Sequence, residues 1–462
     1  MTDHPTPEHS PSSDPEYGLN AATIDAILAA LEVGARDRLI AYLEPLHPAD
    51  IADFIEQIGA DARARLITLW GPQIDADFVF ELEEGMRDEV TALLSPAQIA
   101  EAVKDRDTDD LVYLVEDLAS EEQEAVLDAL DETDRVAVEA ALEYPEYSAG
   151  RLMQRTVVTA PTHWSVGDII DFMRSTEELP EQFYDIVIVD PAYHPVGEVR
   201  LGKVMASKRE VMLADLMEKD FRVIPVEQSQ EDVAYAFNQY HMIQAPVVDQ
   251  DGRLVGAITM DDAMEVLEDE AHEDMLRLAG VGAEEELTDN IWDTTRQRFP
   301  WLAVNLATAV LASAVIAVFE ETIAALVALA VLMPIIASMG GNAGTQSLTV
   351  AVRALATRDL TPANAWRVIR REVAAGLLNG VAFAVIIGGL GAAWFGSPML
   401  GVVLAVAMVV NMVVAGLAGV LIPLALDRVG ADPALASGTF VTTVTDVVGF
   451  FAFLGLAAMV LL

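Results

Sequence analysis

The chain contains no cysteine among its 462 residues. This absence excludes disulfide bonds, thiolate metal sites and cysteine nucleophiles. Basic residues are also scarce: 27 lysines and arginines stand against 73 aspartates and glutamates, so the formal net charge is −46. A charge of this sign repels phosphates and argues against nucleic acid as a partner. A cation is the partner that this composition favours.

The acidic excess is confined to one part of the chain. Residues 296–462 contain 8 basic and 7 acidic residues, for a net charge of +1. Residues 1–295 therefore contain 27 − 8 = 19 basic and 73 − 7 = 66 acidic residues, for a net charge of −47. Because 53% of all residues are hydrophobic, this segregation excludes a single soluble globule. It indicates an acidic soluble part joined to a membrane part.

Five long apolar stretches follow residue 298, and each has the roughly 20 residues that a helix needs to cross a bilayer. The predicted spans are about 299–319, 322–356, 366–395, 398–426 and 433–462. All connections that contain arginine fall on one side if residues 1–295 are cytoplasmic. The sequence therefore predicts a multi-pass protein of the cell (inner or plasma) membrane with its C-terminus outside.

The second stretch is unusual in length and composition. Residues 322–356 number 35, which as one helix would extend about 50 Å. Pro334 precedes the segment Gly340-Gly341-Asn342-Ala343-Gly344-Thr345-Gln346-Ser347. Glycines and polar side chains at this depth predict a break in the helix that lines a wet cavity. The alternative is a small-residue face for helix packing, which would not require Asn342 and Gln346.

The fifth stretch contains Asp446, 13 residues after Pro433 and so near the middle of the membrane. Thr442 and Thr443 precede it by one helical turn and share its face. A carboxylate within a span is a candidate functional group. The alternative, an ion pair with a buried base, is disfavoured because the spans contain no lysine and their arginines, Arg353, Arg367, Arg370 and Arg371, lie near span ends. Without histidine, these oxygen ligands suit magnesium or calcium, and magnesium would stay largely hydrated.

Acidic side chains are concentrated in a helix just before the membrane part. They are Asp261, Asp262, Glu265, Glu268, Asp269, Glu270, Glu273 and Asp274. For any one of them a solvated helix face is the simpler interpretation. Together, however, they repel each other at i,i+4 spacing and weaken the helix. Divalent cations would relieve that repulsion, so this segment is predicted to be expanded without cation and compact with it.

Two soluble domains precede this acidic helix. Residues 1–19 are polar and proline-rich and predict a disordered tail. Residues 20–148 show short amphipathic helices with acidic faces, one of which contains Asp109. Residues 149–262 contain two copies of a strand–helix–strand–turn–strand–helix pattern, 59 residues apart (190 to 249, 197 to 256).

The two copies resemble a pair of cystathionine-β-synthase (CBS) motifs. The family's nucleotide-contacting pattern, Gly-x-x-Ser/Thr-x-x-Asp, is present in the second copy from Gly256 to Asp262 and includes Thr259. The first copy has Arg200 and Lys203 in place of the hydroxyl and the carboxylate. The resemblance therefore restricts a candidate ATP site to Thr259 and Asp262.

The order of parts and the two membrane motifs resemble the MgtE family of magnesium channels and transporters. This resemblance implies a multidomain membrane protein with an all-α helical-repeat N-domain, an α+β CBS pair, a connecting plug helix over residues 263–298 and a five-helix α transmembrane domain over residues 299–462. It also implies a homodimer in membrane lipid, with hydrated Mg²⁺ held at Asp446. Cytoplasmic Mg²⁺ would bind between the acidic domains and close the pore.

Candidate site residues follow from both lines of argument. The predicted ion path contains Asp446, Thr442, Thr443, Asn342, Gly340, Gly341 and Gln346. The predicted metal ligands are Asp446, Asp109, Asp249, Asp251, Asp261, Asp262, Glu265, Glu268, Asp269, Glu270 and Asp432.

The leading functional hypothesis is a passive magnesium channel gated by magnesium. A proton- or sodium-coupled cation exchanger is an alternative, disfavoured because Asp446 is the only acid deep in a span. A membrane receptor for a nucleotide or metal is a third reading. An enzyme is not expected, because the sequence has no nucleophile–base constellation, phosphate loop or metal-binding histidine pair.

Overall fold

A computed structural model describes most of the chain and divides it into two compact units, residues 1–267 and residues 268–462. The described residues are 19–71, 76–95, 98–99, 102–103, 106–116, 118, 120–176, 179–180, 182–282, 285 and 291–462. The predicted tail over residues 1–19 lies outside them, apart from Leu19.

The first unit begins with short helices around one apolar core. These are α1 (Ala21–Glu32), α2 (Arg36–Leu43), α3 (Pro48–Gln57), α4 (Ala60–Trp70), a 3₁₀ turn (Ala76–Val79), α5 (Glu84–Thr91), α6 (Thr108–Glu116), α7 (Ser120–Ala129) and α8 (Glu132–Ala141). Leu39, Phe54 and Phe78 are fully buried in that core. Asp131 caps α8, because its carboxylate accepts hydrogen bonds from two backbone amides. The all-α N-domain is thus confirmed.

The same unit continues with two small sheets of identical topology. The elements are α9 (Ala149–Leu152), β1 (Thr159–Pro161), α10 (Val166–Ser175), β2 (Asp185–Val189), β3 (Pro195–Arg200), α11 (Leu201–Met205), α12 (Leu213–Leu216), β4 (Ile224–Pro225), α13 (Gln230–Tyr240), β5 (Gln244–Val248) and β6 (Leu254–Thr259). In each sheet the middle strand pairs in parallel with the first strand and antiparallel with the third. The internal repeat is confirmed, and β1 begins at Thr159, where its ladder with β2 starts.

Helix α14 (Met260–Ala279) contains the last residues of the first unit and the first residues of the second. At its start, the Asp262 carboxylate accepts hydrogen bonds from the amide and hydroxyl of Thr259. It ends at Gly280, whose φ of +75° is a left-handed conformation that favours glycine. The structure therefore has a helix ending at Ala279 and a new one from Ile291, where a single connecting segment over 263–298 was predicted.

Among the described residues of the second unit, five helices are long and apolar enough to cross a membrane, which confirms the predicted number of spans. They are α15 (Ile291–Val318), α17 (Ala328–Ala356), α18 (Ala365–Phe395), α19 (Pro398–Arg428) and α20 (Pro433–Val460), with the short α16 (Glu320–Ala325) between the first two. Helix α19 is the most buried of the five. It lies against α17, α18 and α20.

The break predicted at the glycine-rich motif is wrong. Helix α17 is continuous through Pro334 and the motif, and the chain is instead interrupted at Leu326, between α16 and α17. The glycines are used for close packing and keep their helical conformation, because Gly340 and Gly344 are buried against neighbouring helices. A single proline removes only one helical N–H.

Candidate ion path and acidic cluster

Asp446 lies near the middle of α20, and its side chain is partly exposed. Within the described part of the chain it has no hydrogen-bond or ion-pair partner. A carboxylate held at membrane depth without a countercharge is costly. Asp446 is therefore the membrane group best suited to attract a passing cation.

The threonines one turn before Asp446 present oxygen atoms on the same helix. The hydroxyl of Thr442 donates to the carbonyls of Gly438 and Thr439, both at 3.0 Å. The hydroxyl of Thr443 donates to the Thr439 carbonyl at 2.6 Å. Each hydroxyl donates its hydrogen bond to a backbone carbonyl. Its oxygen lone pairs therefore remain available to accept hydrogen bonds from the water shell of a cation. The face thus carries acceptors and a negative charge.

The glycines of the α17 motif contact the neighbouring helices. A Cβ atom on Gly340 would overlap the side-chain amide of Asn411, and one on Gly341 would lie 3.9 Å from Thr442. A Cβ on Gly344 would lie 2.5 Å from Val441. Gly340, predicted in the ion path, therefore packs closely against α19, whereas Gly341, predicted there too, has room for a Cβ beside Thr442 of α20.

The polar side chains of α17 lie on an exposed face of the second unit. Ser338, Asn342, Thr345, Gln346 and Thr349 are all exposed, and Asn342 donates weakly to Ser338 at 3.5 Å. Lipid cannot satisfy side-chain amides and hydroxyls. This face of the helix must therefore meet water or another polypeptide, which is consistent with the predicted roles of Asn342 and Gln346.

In the first unit, two pairs of aspartates meet. Asp109 and Asp110, in the first turn of α6, face Asp261 and Asp262, in the first turn of α14. Burial, and then the charge of Asp262, raise the pKa of Asp109 well above its usual value. Burial raises the pKa of Asp262 to about 7 and that of Asp110 to about 6, the latter despite nearby Arg106.

These four aspartates are named here the acidic cluster, and Arg106 pairs with one of them, Asp110, at 3.7 Å. Among the residues that the structure describes, the buried Oδ1 atom of Asp109 has no hydrogen-bond partner. No group of three or more acidic or histidine side chains in the described part of the chain is arranged to hold a metal by itself. A cation there would need several water ligands, which is how magnesium usually binds in proteins.

The other predicted metal ligands lie apart from this cluster. Asp249 accepts hydrogen bonds from the amides of Asp251 and Arg253, so it stabilises the hairpin turn. Asp249 and Asp251 also line a shallow acidic cavity with Glu227 and Glu143. The remaining acids follow along α14 and are Glu265, Glu268, Asp269 and Glu270.

Asp432 contacts a residue that sequence reasoning missed. Its carboxylate caps α20 by accepting from the Ala434 amide at 2.7 Å, and it forms an ion pair with Arg277. Arg277 also pairs with Glu273 one turn earlier in α14. The end of α14 is therefore tied to the start of the helix that carries Asp446. The signal in the sequence was a single arginine after eight acids in one helix.

Two buried polar contacts between membrane helices were also missed. The side-chain amide of Asn411 donates to the Ile336 carbonyl at 2.9 Å. The hydroxyl of Ser347 donates to the Glu372 carboxylate at 2.9 Å. Both Asn411 and Ser347 are polar residues inside apolar stretches, which was the available signal, but their partners depend on tertiary packing.

The candidate nucleotide residues already have a structural role. Thr259 donates its hydroxyl proton to Asp262 at 2.8 Å, and Asp262 also belongs to the acidic cluster. Thr259 is buried. Nucleotide contact there would require Asp262 to serve more than one partner.

Comparison with known proteins agrees with this arrangement. The chain matches the models of the MgtE divalent cation transporter over residues 333–456, the MgtE intracellular N domain over residues 46–147 and the CBS domain over residues 213–269. A magnesium transporter MgtE of Thermus thermophilus is 31% identical and covers 94% of this chain and 97% of its own length. One of Enterococcus faecalis is 34% identical and covers 70% of this chain and 71% of its own length.

Among solved structures, the cytosolic domain of the Mg²⁺ channel MgtE in complex with ATP is 27% identical, covers 53% of this chain and 99% of that one, and has a TM-score of 0.48. Similarity to the two relatives extends over the soluble and the membrane parts. The chain belongs to the MgtE family of divalent cation transporters.

Proposed function

We propose that this chain forms a homodimeric, passive magnesium channel that closes when Mg²⁺ binds to its cytoplasmic acidic cluster. The observation that carries the proposal is the pairing of Asp109 and Asp110 with Asp261 and Asp262. Like charges that face each other repel strongly where water is partly excluded. A divalent cation with its water shell removes that repulsion, so the helical domain and the start of α14 associate in high magnesium and separate in low magnesium.

The change at the acidic cluster reaches the membrane through α14. One end of this helix carries Asp261 and Asp262, and the other carries Arg277, which is paired with Asp432 at the start of α20. Because α20 also carries Asp446, movement of α14 would act on the helix that binds the transported ion. The Arg277–Asp432 pair needs no divalent cation, so this contact is proposed to persist at low magnesium.

The proposed ion path lies where two copies of the chain meet. The exposed polar face of α17, with Asn342 and Gln346, would then be covered by the partner copy. Two Asp446 carboxylates, one from each chain, would hold Mg²⁺ through its water ligands, because magnesium gives up water reluctantly. Oxygen atoms of Thr442 and Thr443 would accept hydrogen bonds from those waters.

The proposed orientation puts the soluble domains in the cytoplasm and the C-terminus outside. Because the chain has no cysteine, single cysteines are specific labelling sites. Leu462→Cys should react with a membrane-impermeant maleimide in intact cells, whereas Asp427→Cys, at the exposed cytoplasmic end of α19, should react only after lysis. Labelling of Asp427→Cys in intact cells would contradict the orientation.

The raised pKa values predict a pH dependence of closure. Groups whose pKa is higher in the folded protein stabilise the assembled arrangement at low pH, and that stability is lost as pH rises. Because burial raises the pKa of Asp110 to about 6 and that of Asp262 to about 7, from the ordinary value of 3.8, this stability is lost as pH rises from about 4 to about 7. In magnesium-free cytoplasmic solution, current should fall about tenfold between pH 8 and pH 6, one pKa unit being a tenfold change in equilibrium.

This dependence is measured in inside-out patches by exchanging the cytoplasmic solution. The Asp262→Asn variant, which lacks the group with a pKa of about 7, should show a smaller change. Current that stays constant between pH 6 and pH 8 would show that protons do not replace magnesium at the cluster.

A further inference from the structure

Asn411 is a polar side chain with no exposed surface, at the centre of α19. Its side-chain amide donates to the Ile336 carbonyl of α17 at 2.9 Å. Its Oδ1 atom is buried and has no hydrogen-bond partner among the described residues. An unpaired amide oxygen in a membrane interior is costly, so packing stability alone would favour an apolar residue of the same size.

Glycines of two different helices enclose the Asn411 side chain. On one side is Gly340 of α17, where a Cβ atom would overlap the amide nitrogen. On the other side is Gly449 of α20, where a Cβ atom would lie 2.8 Å from the same nitrogen. Cβ atoms do not approach another heavy atom this closely. Glycine is therefore required at both positions, and the backbones of α17 and α20 pack directly against the Asn411 amide. Asn411 thereby sets the separation of α17 and α20.

The contact with α20 is one helical turn from Asp446. Gly449 follows Asp446 by three residues, and Val441, five residues before Asp446, is held against Gly344 of α17. The carboxylate thus lies between two points at which α20 is fixed. A change at either point rotates or shifts Asp446, since a helix is stiff over two turns.

We infer that Asn411 is a positioning residue that fixes Asp446 in the ion path by spacing α20 from α17. This inference rests on the proposed function, because it assigns a role in ion binding at Asp446. It differs from a simple stabilising role in one respect. Removal of Asn411 should change how the conducting site binds magnesium and leave closure by cytoplasmic magnesium unchanged.

The test is a double-mutant cycle in the full-length protein. Gly449→Ala adds a methyl group against Asn411 and should raise the magnesium concentration for half-maximal unitary current about tenfold, as expected for a site displaced by a fraction of an ångström. Asn411→Ala should produce a change of similar size. In the double variant the alanine methyl fills space that the amide has left, so half-saturation should return to within about threefold of the wild type.

Two further variants complete the test. Gly455→Ala is the matched control, because it lies on the same helix and its Cβ would make only an ordinary contact of 3.8 Å with Phe319. It should leave half-saturation unchanged. Asn411→Leu removes the hydrogen bond and places bulkier methyl groups between the two bare helix backbones, so a shift in half-saturation with unchanged inhibition by cytoplasmic magnesium supports positioning. Currents are normalised to folded protein in the membrane.

The contrary outcomes are distinct. Asn411 does not position Asp446 if the double variant shows the product of the two single shifts in half-saturation. The same conclusion follows if Asn411→Leu has the half-saturation of the wild type. If the wild type itself carries no magnesium current, the proposed function fails and the inference fails with it.

Discussion

Asp446→Ala should lower magnesium current at least about 100-fold while the protein still folds and inserts. At an effective dielectric constant of 20, two unit charges 4 Å apart attract by about 4 kcal/mol, and 1.4 kcal/mol is a tenfold change in affinity. Hydrated Mg²⁺ carries two charges, but its water shell keeps it more than about 4 Å from the carboxylate. A loss of current of about 100-fold is therefore a conservative expectation. The measurement is current, or tracer uptake into liposomes, per folded protein.

Two controls accompany this variant. Asp446→Glu keeps the charge and should retain a measurable part of the current, because the carboxylate only moves by one methylene. Asp427→Asn removes an acid at the exposed end of α19 and should change current less than about twofold, since exposed charges act weakly. Near-normal current in Asp446→Ala would remove this residue from the ion path.

Deletion of residues 1–262 should abolish inhibition by cytoplasmic magnesium and leave conduction intact. The deletion removes all four aspartates of the acidic cluster but retains α20 and Asp446. Inhibition that persists in the truncated protein would locate the sensor elsewhere. Loss of conduction with retained membrane insertion would show that the soluble domains are needed to form the path.

The opposite result should come from a fixed positive charge in the cluster. Asp109→Lys would place an ammonium beside Asp262 and relieve the repulsion without magnesium. We expect this variant to be closed even in magnesium-free solution, with current lowered about tenfold or more. Asp61→Lys is the matched control, because Asp61 is likewise the second residue of a helix but is exposed. Asp109→Lys with wild-type magnesium dependence would contradict repulsion as the gating force.

Features that depend on local sequence were predictable. The number of membrane helices follows from long apolar stretches, and the CBS repeat follows from matching strand and turn residues 59 apart. Asp446 stood out because it is an acid at the centre of an apolar stretch. In each case the signal and the structure involve the same few residues.

Features that depend on tertiary packing were not predictable. The acids of α14 look equivalent in the sequence, yet the structure brings Asp261 and Asp262 to Asp109 and Asp110. The glycines of α17 predicted a break, because glycine suits both an irregular backbone and a close helix contact. Whether these glycines break the helix or form a close helix contact depends on neighbours such as Asn411 and Val441. Those residues lie about 70 to 100 positions away in the chain (340 to 411, 344 to 441).

The central claim is that magnesium flows passively through this protein and closes it from the cytoplasmic side. The most direct test is magnesium current in excised patches while cytoplasmic magnesium is varied. We predict a reversal potential that follows the magnesium equilibrium potential, no effect of proton or sodium gradients on it, and inhibition on the order of 10⁻³ M, as for weak carboxylate sites. A reversal potential that shifts with the proton or sodium gradient, or current that is unaffected by cytoplasmic magnesium, would contradict the account.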